Sequence, residues 1–190
     1  MSAFPPLYIL RHGETEWNAT GRLQGRFDSA LTTKGRAQAQ VQRDILAKRD
    51  LIRFEAISSP QGRAFETAKT AVSGLISPIR KDPALSEIGL GAWAGKDRAE
   101  VLKESGARDG FALYELAPEG EGFSALHDRC LTFLRGLDGP SVLVTHGITS
   151  RMLRLILTGR RLGALRGMDG GQGVVFFLND GKQERLTLRG

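Results

Sequence analysis

Two histidines in this 190-residue sequence follow the same local pattern, a short apolar run that leads directly into His-Gly. His12 and Gly13 come after LYILR, and His146 and Gly147 come after SVLVT. The chain contains only three histidines, so chance seldom produces such a repeat. Arg11 adds a guanidinium beside His12, and its fork of N–H donors matches the oxygens of phosphate. The sequence therefore predicts a site for a reactive anion, and phosphate fits best.

Hydrophobic periodicity predicts the elements that must position these residues. Apolar runs predict strands over residues 7–10, 56–60, 79–83, 141–145, 173–178 and 185–188. Helical spacing predicts helices over residues 37–50, 62–73, 97–104, 123–137 and 148–157, the first of them capped by Thr32 or Thr33. The alternation of strands and helices predicts a three-layer α/β/α fold with a mostly parallel central sheet and helices on both faces.

The two His-Gly pairs then stand at the carboxyl ends of strands, where open α/β sheets bind their ligands. Residues 18–31, rich in glycine and arginine, are predicted to form a loop over the site. Residues 105–122 are polar and contain glycine, and their conformation stays open. A length of 190 residues is typical of one domain, so a single domain is predicted over residues 1–190.

Composition excludes some classes of protein. The net charge of +6 comes from basic residues that are scattered along the chain, which is typical of a solvated surface and does not indicate a nucleic-acid partner. Cys130 is the only cysteine, so no intrachain disulfide is expected, and its apolar setting predicts a core residue. No signal peptide or membrane-length apolar run is present, so we expect a cytoplasmic protein without a membrane partner. The sequence leaves open whether the protein forms a homo-oligomer.

The ordered motifs resemble those of a known family. The segments LRHGETEWN, DSALTTKGRAQA, SSPQGRAFETA, LSEIGLGAWAG, PEGEG and VTHG occur in this order between residue 7 and about residue 150. This set resembles the histidine phosphatase superfamily, also called the phosphoglycerate mutase-like family, and it is most similar to the short phosphatase members.

The resemblance implies a role for each of five residues. His12 matches the nucleophile that accepts the phosphoryl group, and a neutral imidazole near pH 7 has the lone pair for this task. Its other ring nitrogen should donate to a backbone carbonyl. Arg11 and Arg63 match the two phosphate-binding arginines, and His146 matches a second histidine that contacts the same phosphate, as a positive donor if protonated. Glu87 matches the general acid.

A further group of residues is expected to bind the phosphate or the rest of the substrate: Asn18, Thr15, Gly147, Arg22, Gln24 and Trp93. The substrate pocket is expected to be lined by residues 18–27, Trp93 and residues 96–119. For Asn18 and Thr15, ordinary hydrogen bonding within the loop stays an alternative. Asp82 and Glu121 are rival acids that do not match the family position. Glu14 and Glu121 are expected to hold loops or to pair with an arginine. His127 has no motif around it and is expected to be non-catalytic.

The resemblance implies no cofactor, and no cluster of His, Cys and carboxylates has the spacing of a metal site. The function expected is that of a metal-independent phosphomonoesterase that acts on a small phosphorylated metabolite. One alternative is a phosphoglycerate mutase, although the long basic insertion of the true mutases is missing here. The other is a non-catalytic protein that binds a phosphorylated ligand.

Overall fold

A single sheet organises the computed structural model, which describes residues 4–188. Within these residues the strands are β1 (Leu7–Arg11), β2 (Glu55–Ser58), β3 (Ile79–Lys81), β4 (Ser141–Thr145), β5 (Val175–Asn179) and β6 (Lys182–Leu186). They lie in the order β3-β2-β4-β1-β5-β6. The first four strands in this order are parallel, whereas β5 is antiparallel to both β1 and β6. The predicted mostly parallel sheet is confirmed.

Helices cover both faces of this sheet. They are α1 (Glu16–Ala19), α2 (Thr33–Leu46), α3 (Gly62–Ala71), α4 (Arg98–Ser105), α5 (Leu113–Leu116), α6 (Gly122–Arg135) and α7 (Gly147–Leu157). Side chains of β1 alternate between the faces, as the pleat of a strand requires. Leu7 and Ile9 pack in the cluster that includes α6 and α7, whereas Tyr8 and Leu10 pack in the cluster that includes α2 and α3.

Some elements differ from their predicted bounds, among them the helix predicted over residues 37–50, which is observed as α2 (Thr33–Leu46), and the last strand. The last strand ends at Leu186 and begins at Lys182, three residues before its predicted start, because Asp180 and Gly181 form a two-residue turn between β5 and β6. Both turn residues have positive φ, at 49° and 73°, as this type of tight hairpin requires. Residues 105–122 contain the short helix α5, whose Leu113 is buried in a third apolar cluster with Leu23.

A close approach of two backbones fixes the loop after β1 against the start of α2. A Cβ atom added to Gly13 would lie 2.1 Å from the carbonyl oxygen of Gly35, and one added to Gly35 would lie 2.0 Å from that of Glu14. Neither position accepts a side chain without moving the backbone. These two glycines therefore set the position of the residues next to His12.

Cys130 lies in the core, as predicted, and burial raises the pKa of its thiol to about 12. Among residues 4–188, no helix combines the length and the apolar character that crossing a bilayer would need.

Candidate active site

His12 lies directly after β1 with its ring orientation fixed by the backbone. The backbone N–H of His12 donates to the carbonyl oxygen of Thr145 on the neighbouring strand β4, at 2.9 Å. Its ring Nδ1 lies 2.7 Å from the carbonyl oxygen of Gly13. Because a carbonyl only accepts, Nδ1 must carry the proton, and Nε2 is left with the free lone pair. The expected backbone partner of this ring is confirmed.

His146 follows β4, and the structure brings it against His12. Since β1 and β4 are parallel neighbours, their carboxyl ends meet at one edge of the sheet. The ring centroids of the two histidines are 5.1 Å apart, in an edge-to-face arrangement. Nε2 of His146 lies 2.8 Å from Oγ of Ser59, just after β2. Its Nδ1 is buried and has no partner among the described residues.

The site disfavours the charged form of both histidines. Burial, followed by the Arg11 and Arg63 guanidinium groups, lowers the pKa of His12 well below its ordinary value. Burial, followed by the charge of Arg63 and by His12, lowers the pKa of His146 in the same direction. A neutral His12 suits a nucleophile. The lowered pKa of His146 disfavours the protonated form in which this residue would be a positive donor.

Arg63 lies in the first turn of α3 and is held by the loop that precedes α2. Its Nη1 donates to the carbonyl oxygen of Phe27 at 2.6 Å and to Asp28 at 2.7 Å, and its Nη2 donates to the carbonyl oxygen of Gly25 at 3.0 Å. Its Nε is buried and has no partner among residues 4–188. Three of the five N–H groups therefore fix the guanidinium, and the others remain for a ligand.

Arg11, at the end of β1, lies between two glycines. A Cβ atom on Gly147 would lie 3.3 Å from its Cζ, and a Cβ atom on Gly170 would lie 3.0 Å from its Nη1. Its buried Nε has no partner within the described part of the chain. Gly147, predicted to bind phosphate, thus also makes room for the Arg11 side chain. A half-buried guanidinium beside His12 whose buried Nε has no partner among the described residues is the arrangement that an anion would complete.

Glu87 reaches the site from the segment after β3. Its backbone N–H donates to Oε1 of Gln61 at 2.9 Å. Its carboxylate accepts the backbone N–H groups of Ile148 and Thr149, at 3.2 and 3.1 Å, in the first turn of α7. The acidic side chain is therefore held next to the helix that follows His146, across from the arginines.

The predicted phosphate-contacting residues of the first loop have different surroundings. Thr15 is fully buried and caps α1, and its Oγ1 accepts from the side chain of Gln24 at 2.8 Å. Asn18 lines the cavity, and its Oδ1 accepts from the N–H of Thr15 and from Gln172, each at 3.3 Å. The Asn18 amide nitrogen is thereby left as the donor for a ligand. Thr15 positions Asn18 and does not itself reach the cavity.

Of the other three predicted binding residues, Arg22 and Gln24 line the cavity and Trp93 does not. Arg22 lines the cavity and lies over the ring of Trp17, 5.0 Å from its centroid. Trp93 does not line the cavity. It packs instead against the third apolar cluster, beside Leu90. The prediction that Trp93 lines the substrate pocket is wrong, because this residue ends a short 3-10 helix at Gly91–Trp93 and packs against that cluster.

The cavity lining does not include the two motif glutamates, the alternative acid Asp82 or His127. Glu14 accepts from Thr32 and Lys34, at 3.0 and 2.8 Å. Glu121 forms a two-point contact with Arg129, at 2.7 and 2.8 Å, so it pairs with an arginine as predicted. Asp82 caps the short helix that begins at Pro83, and His127 lies on α6.

A cavity of about 430 Å³ lies over these residues, and its lining is strongly basic. The segment 96–119, which was expected to line the substrate pocket, contributes Arg98, Phe111 and Tyr114 to this lining, whereas Leu90, Ile148 and Arg151 were not predicted. Arg98 donates to the Tyr114 hydroxyl at 2.7 Å and to the Gly110 carbonyl oxygen at 3.1 Å, which ties α4 to the segment 105–122. Arg151 could have been found, because it lies one helical turn after Gly147 and faces the same way.

The lining arginines outnumber its acidic residues five to one, with Arg11, Arg22, Arg63, Arg98 and Arg151 against Glu87. Such a cluster, with low-dielectric walls, concentrates anions and repels cations. The lining thus combines an imidazole with a free Nε2, several guanidinium groups and one carboxyl group, which are the kinds of group that phosphoryl transfer uses.

Comparison with known proteins leads to the same class. The sequence model of the histidine phosphatase superfamily (branch 1) matches residues 7–185. The glucosyl-3-phosphoglycerate phosphatase of Mycolicibacterium vanbaalenii is 36% identical over 156 residues, which are 74% of this chain and 68% of that protein. A protein of Serratia proteamaculans named probable phosphoglycerate mutase GpmB is 33% identical over 154 residues, 75% of this chain and 69% of that protein. The alpha-ribazole phosphatase structure from Shigella flexneri superposes with a TM-score of 0.80 at 25% identity, over 97% of this chain and 96% of that chain.

The chain therefore belongs to the histidine phosphatase superfamily. It is similar to the short members of that family, among them proteins named as phosphatases, and it is an enzyme of the phosphomonoesterase type.

Proposed function

We propose that this protein hydrolyses small phosphomonoesters through a phosphohistidine formed on His12. The observation that supports this most directly is the ring geometry, in which Nδ1 of His12 donates to a carbonyl oxygen and Nε2 is the nucleophilic nitrogen. Incubation with p-nitrophenyl phosphate should release phosphate, and His12→Ala should abolish this release. Activity that survives His12→Ala would refute the proposal.

In the first step, Nε2 of His12 attacks phosphorus in line with the ester oxygen. The N–P bond forms, the P–O bond breaks, and Glu87 donates its proton to the leaving oxygen. Arg11 and Arg63 bind the equatorial oxygens, over which the transferred group spreads its charge. Loss of either guanidinium should cost about 10²–10³-fold in kcat, as for other preorganised donors.

In the second step, water attacks the phosphohistidine. The Glu87 carboxylate accepts a proton from this water, and the lone pair returns to Nε2 of His12 as inorganic phosphate leaves. Acid quenching during turnover of a ³²P-labelled ester should trap an acid-labile phosphoprotein. The label should be absent from His12→Ala and, under the same conditions, should persist longer in Glu87→Gln.

The lining supports a substrate whose leaving group carries a second negative charge. Arg22, Arg98 and Arg151 lie in the cavity in addition to the two arginines assigned to the phosphate. A matched pair of substrates tests this: 3-phosphoglycerate has a carboxylate where glycerol 3-phosphate has a hydroxymethyl group. We expect a higher kcat/KM for 3-phosphoglycerate, and Arg98→Gln should narrow the difference. Glucosyl-3-phosphoglycerate and alpha-ribazole phosphate belong in the same panel, because relatives are named for them.

Phosphoryl transfer between hydroxyls is the second candidate, because a relative is named as a probable phosphoglycerate mutase. Measuring isomerisation of 3-phosphoglycerate against phosphate release separates the two. Tight phosphate binding without turnover of the panel would favour the non-catalytic alternative instead. The cytoplasmic location, a small phosphorylated substrate as the main partner, and the absence of nucleic-acid and membrane partners remain part of the proposal. Cell fractionation addresses the first of these.

A further inference from the structure

The Glu87 carboxylate is held unequally at its two oxygens. Oε1 lies within hydrogen-bonding distance of the N–H of Ile88 at 3.0 Å, the N–H of Thr149 at 3.1 Å and the hydroxyl of Thr149 at 3.1 Å. Among residues 4–188, Oε2 accepts from the N–H of Ile148 alone, at 3.2 Å. A proton on Glu87 would compete with three donors at Oε1 and with one at Oε2. The arrangement therefore favours protonation of Oε2.

The two oxygens also differ in their access to the cavity. Ile148, the donor to Oε2, lines the cavity, whereas Ile88 and Thr149 do not. Thr149 is fully buried. The oxygen that is better placed to carry the proton is thus the one whose neighbour faces the ligand.

From these contacts we propose that Thr149 is a positioning residue that keeps Oε1 occupied and directs the acidic proton of Glu87 to Oε2, toward the leaving oxygen. The inference rests on the proposed role of Glu87 as general acid. The backbone N–H of Thr149 alone is not sufficient for this role, because the Thr149 hydroxyl is the third donor to Oε1.

The Thr149 hydroxyl has one proton and two acceptors. Besides Glu87, it lies 2.8 Å from the carbonyl oxygen of Ser86. That carbonyl oxygen also accepts from Arg129 at 3.0 Å, so it keeps a partner when the Thr149 proton turns to Glu87. The hydroxyl can therefore donate to Oε1 of Glu87 without leaving the Ser86 carbonyl oxygen unpaired.

The test compares substrates that differ in their need for an acid. p-Nitrophenolate leaves with little protonation, whereas the more basic phenolate of phenyl phosphate depends on it. We expect Thr149→Val to lower kcat/KM for phenyl phosphate about tenfold more than for p-nitrophenyl phosphate, the loss of one hydrogen bond to a charged group. Thr149→Ser keeps the hydroxyl and should restore most of this difference.

Thr145→Val is the matched control. Thr145 is equally buried, and its hydroxyl donates to the Leu85 carbonyl oxygen at 2.7 Å, two residues before Glu87, without touching the carboxylate. Any loss in this variant should be the same for both esters. An equal loss for both esters in Thr149→Val, or a Thr149→Ser variant that behaves like Thr149→Val, would overturn the proposal.

Two further variants separate this inference from the proposed function. Glu87→Gln should also lower kcat/KM more for phenyl phosphate than for p-nitrophenyl phosphate. The difference between the two esters should be about 10²-fold, larger than in Thr149→Val. If Glu87→Gln shows the preference and Thr149→Val does not, only the role of Thr149 fails. If Glu87→Gln affects both esters equally, the general acid is misassigned and the inference fails with it. Activity in His12→Ala instead refutes the phosphohistidine route.

Discussion

Asp28 and Arg63 form an ion pair with an N–O distance of 2.7 Å, and the same carboxylate accepts the N–H of Gly62 at 2.7 Å. One side chain from the first loop thus caps α3 and orients the arginine that we assign to the phosphate. The Arg63 side chain is 1% exposed, whereas that of Asp28 is 41% exposed. The buried partner therefore depends on the exposed one for its orientation.

We expect Asp28→Ala to lower the free energy of unfolding by about 1 kcal/mol through the lost cap. It should also lower kcat/KM about tenfold, as expected when a bond to a charged group is lost. Asp44→Ala is the control, because Asp44 is similarly exposed, at 44%, and lies far along α2. Urea denaturation and p-nitrophenyl phosphate kinetics check both parts. A Asp28→Ala variant with wild-type kcat/KM would contradict the assignment.

Gly170→Ala should impair catalysis more than folding. The added Cβ would lie 3.0 Å from Nη1 of Arg11, so the end of that side chain must shift by a few tenths of an ångström. Because a misplacement of about 1 Å costs about 10²-fold in rate, we expect this smaller shift to lower kcat/KM by about threefold to tenfold. Gly163→Ala has no atom within 4 Å of the added Cβ and serves as the control. Equal kcat/KM values in the two variants would show that Arg11 tolerates the crowding.

Glu121→Gln should loosen the segment that carries Glu87. Arg129 joins the Glu121 carboxylate to the carbonyl oxygens of Ala84 and Ser86, at 2.6 and 3.0 Å. Replacing one partner of this partly buried, charge-assisted pair should cost about 1–3 kcal/mol of unfolding free energy. The measurement is urea denaturation at pH 7.5, with Glu104→Gln as an exposed control. Identical midpoints and slopes for Glu121→Gln and the wild type would argue against this role.

The two buried histidines predict a pH dependence of stability. Their pKa values are lowered on folding, so below about pH 6.5 the unfolded chain binds more protons than the folded one. Their contribution is complete above that pH. It is lost as the pH falls, by about 1.4 kcal/mol per pH unit for each histidine.

Urea denaturation at pH 7.5 and 5.5 measures this effect. His146→Asn should reduce the difference between the two pH values, because it removes one of the two buried imidazoles. An equally large difference in His146→Asn would contradict the expected direction. In the kinetics, the acid limb of kcat/KM that reflects His12 should lie below about pH 6.5.

Local patterns in the sequence were sufficient for the architecture and for the centre of the site. Apolar runs and turn residues predicted the order of strands and helices, since burial on one face of an element is a property of its own residues. The two strand–His-Gly junctions share an edge because β1 and β4 are parallel neighbours in the sheet. Strands that run parallel bring their carboxyl ends together, whatever the side chains between them.

Only the tertiary structure decided which distant side chains complete that centre. Asp28 has no local signal for the site, because its partner Arg63 comes from another part of the chain. Trp93 shows the reverse. It was predicted to line the cavity, but in the folded chain it packs against an apolar cluster. The neutral state of His146 likewise depends on burial and on the charge of Arg63, and neither exists until the chain has folded.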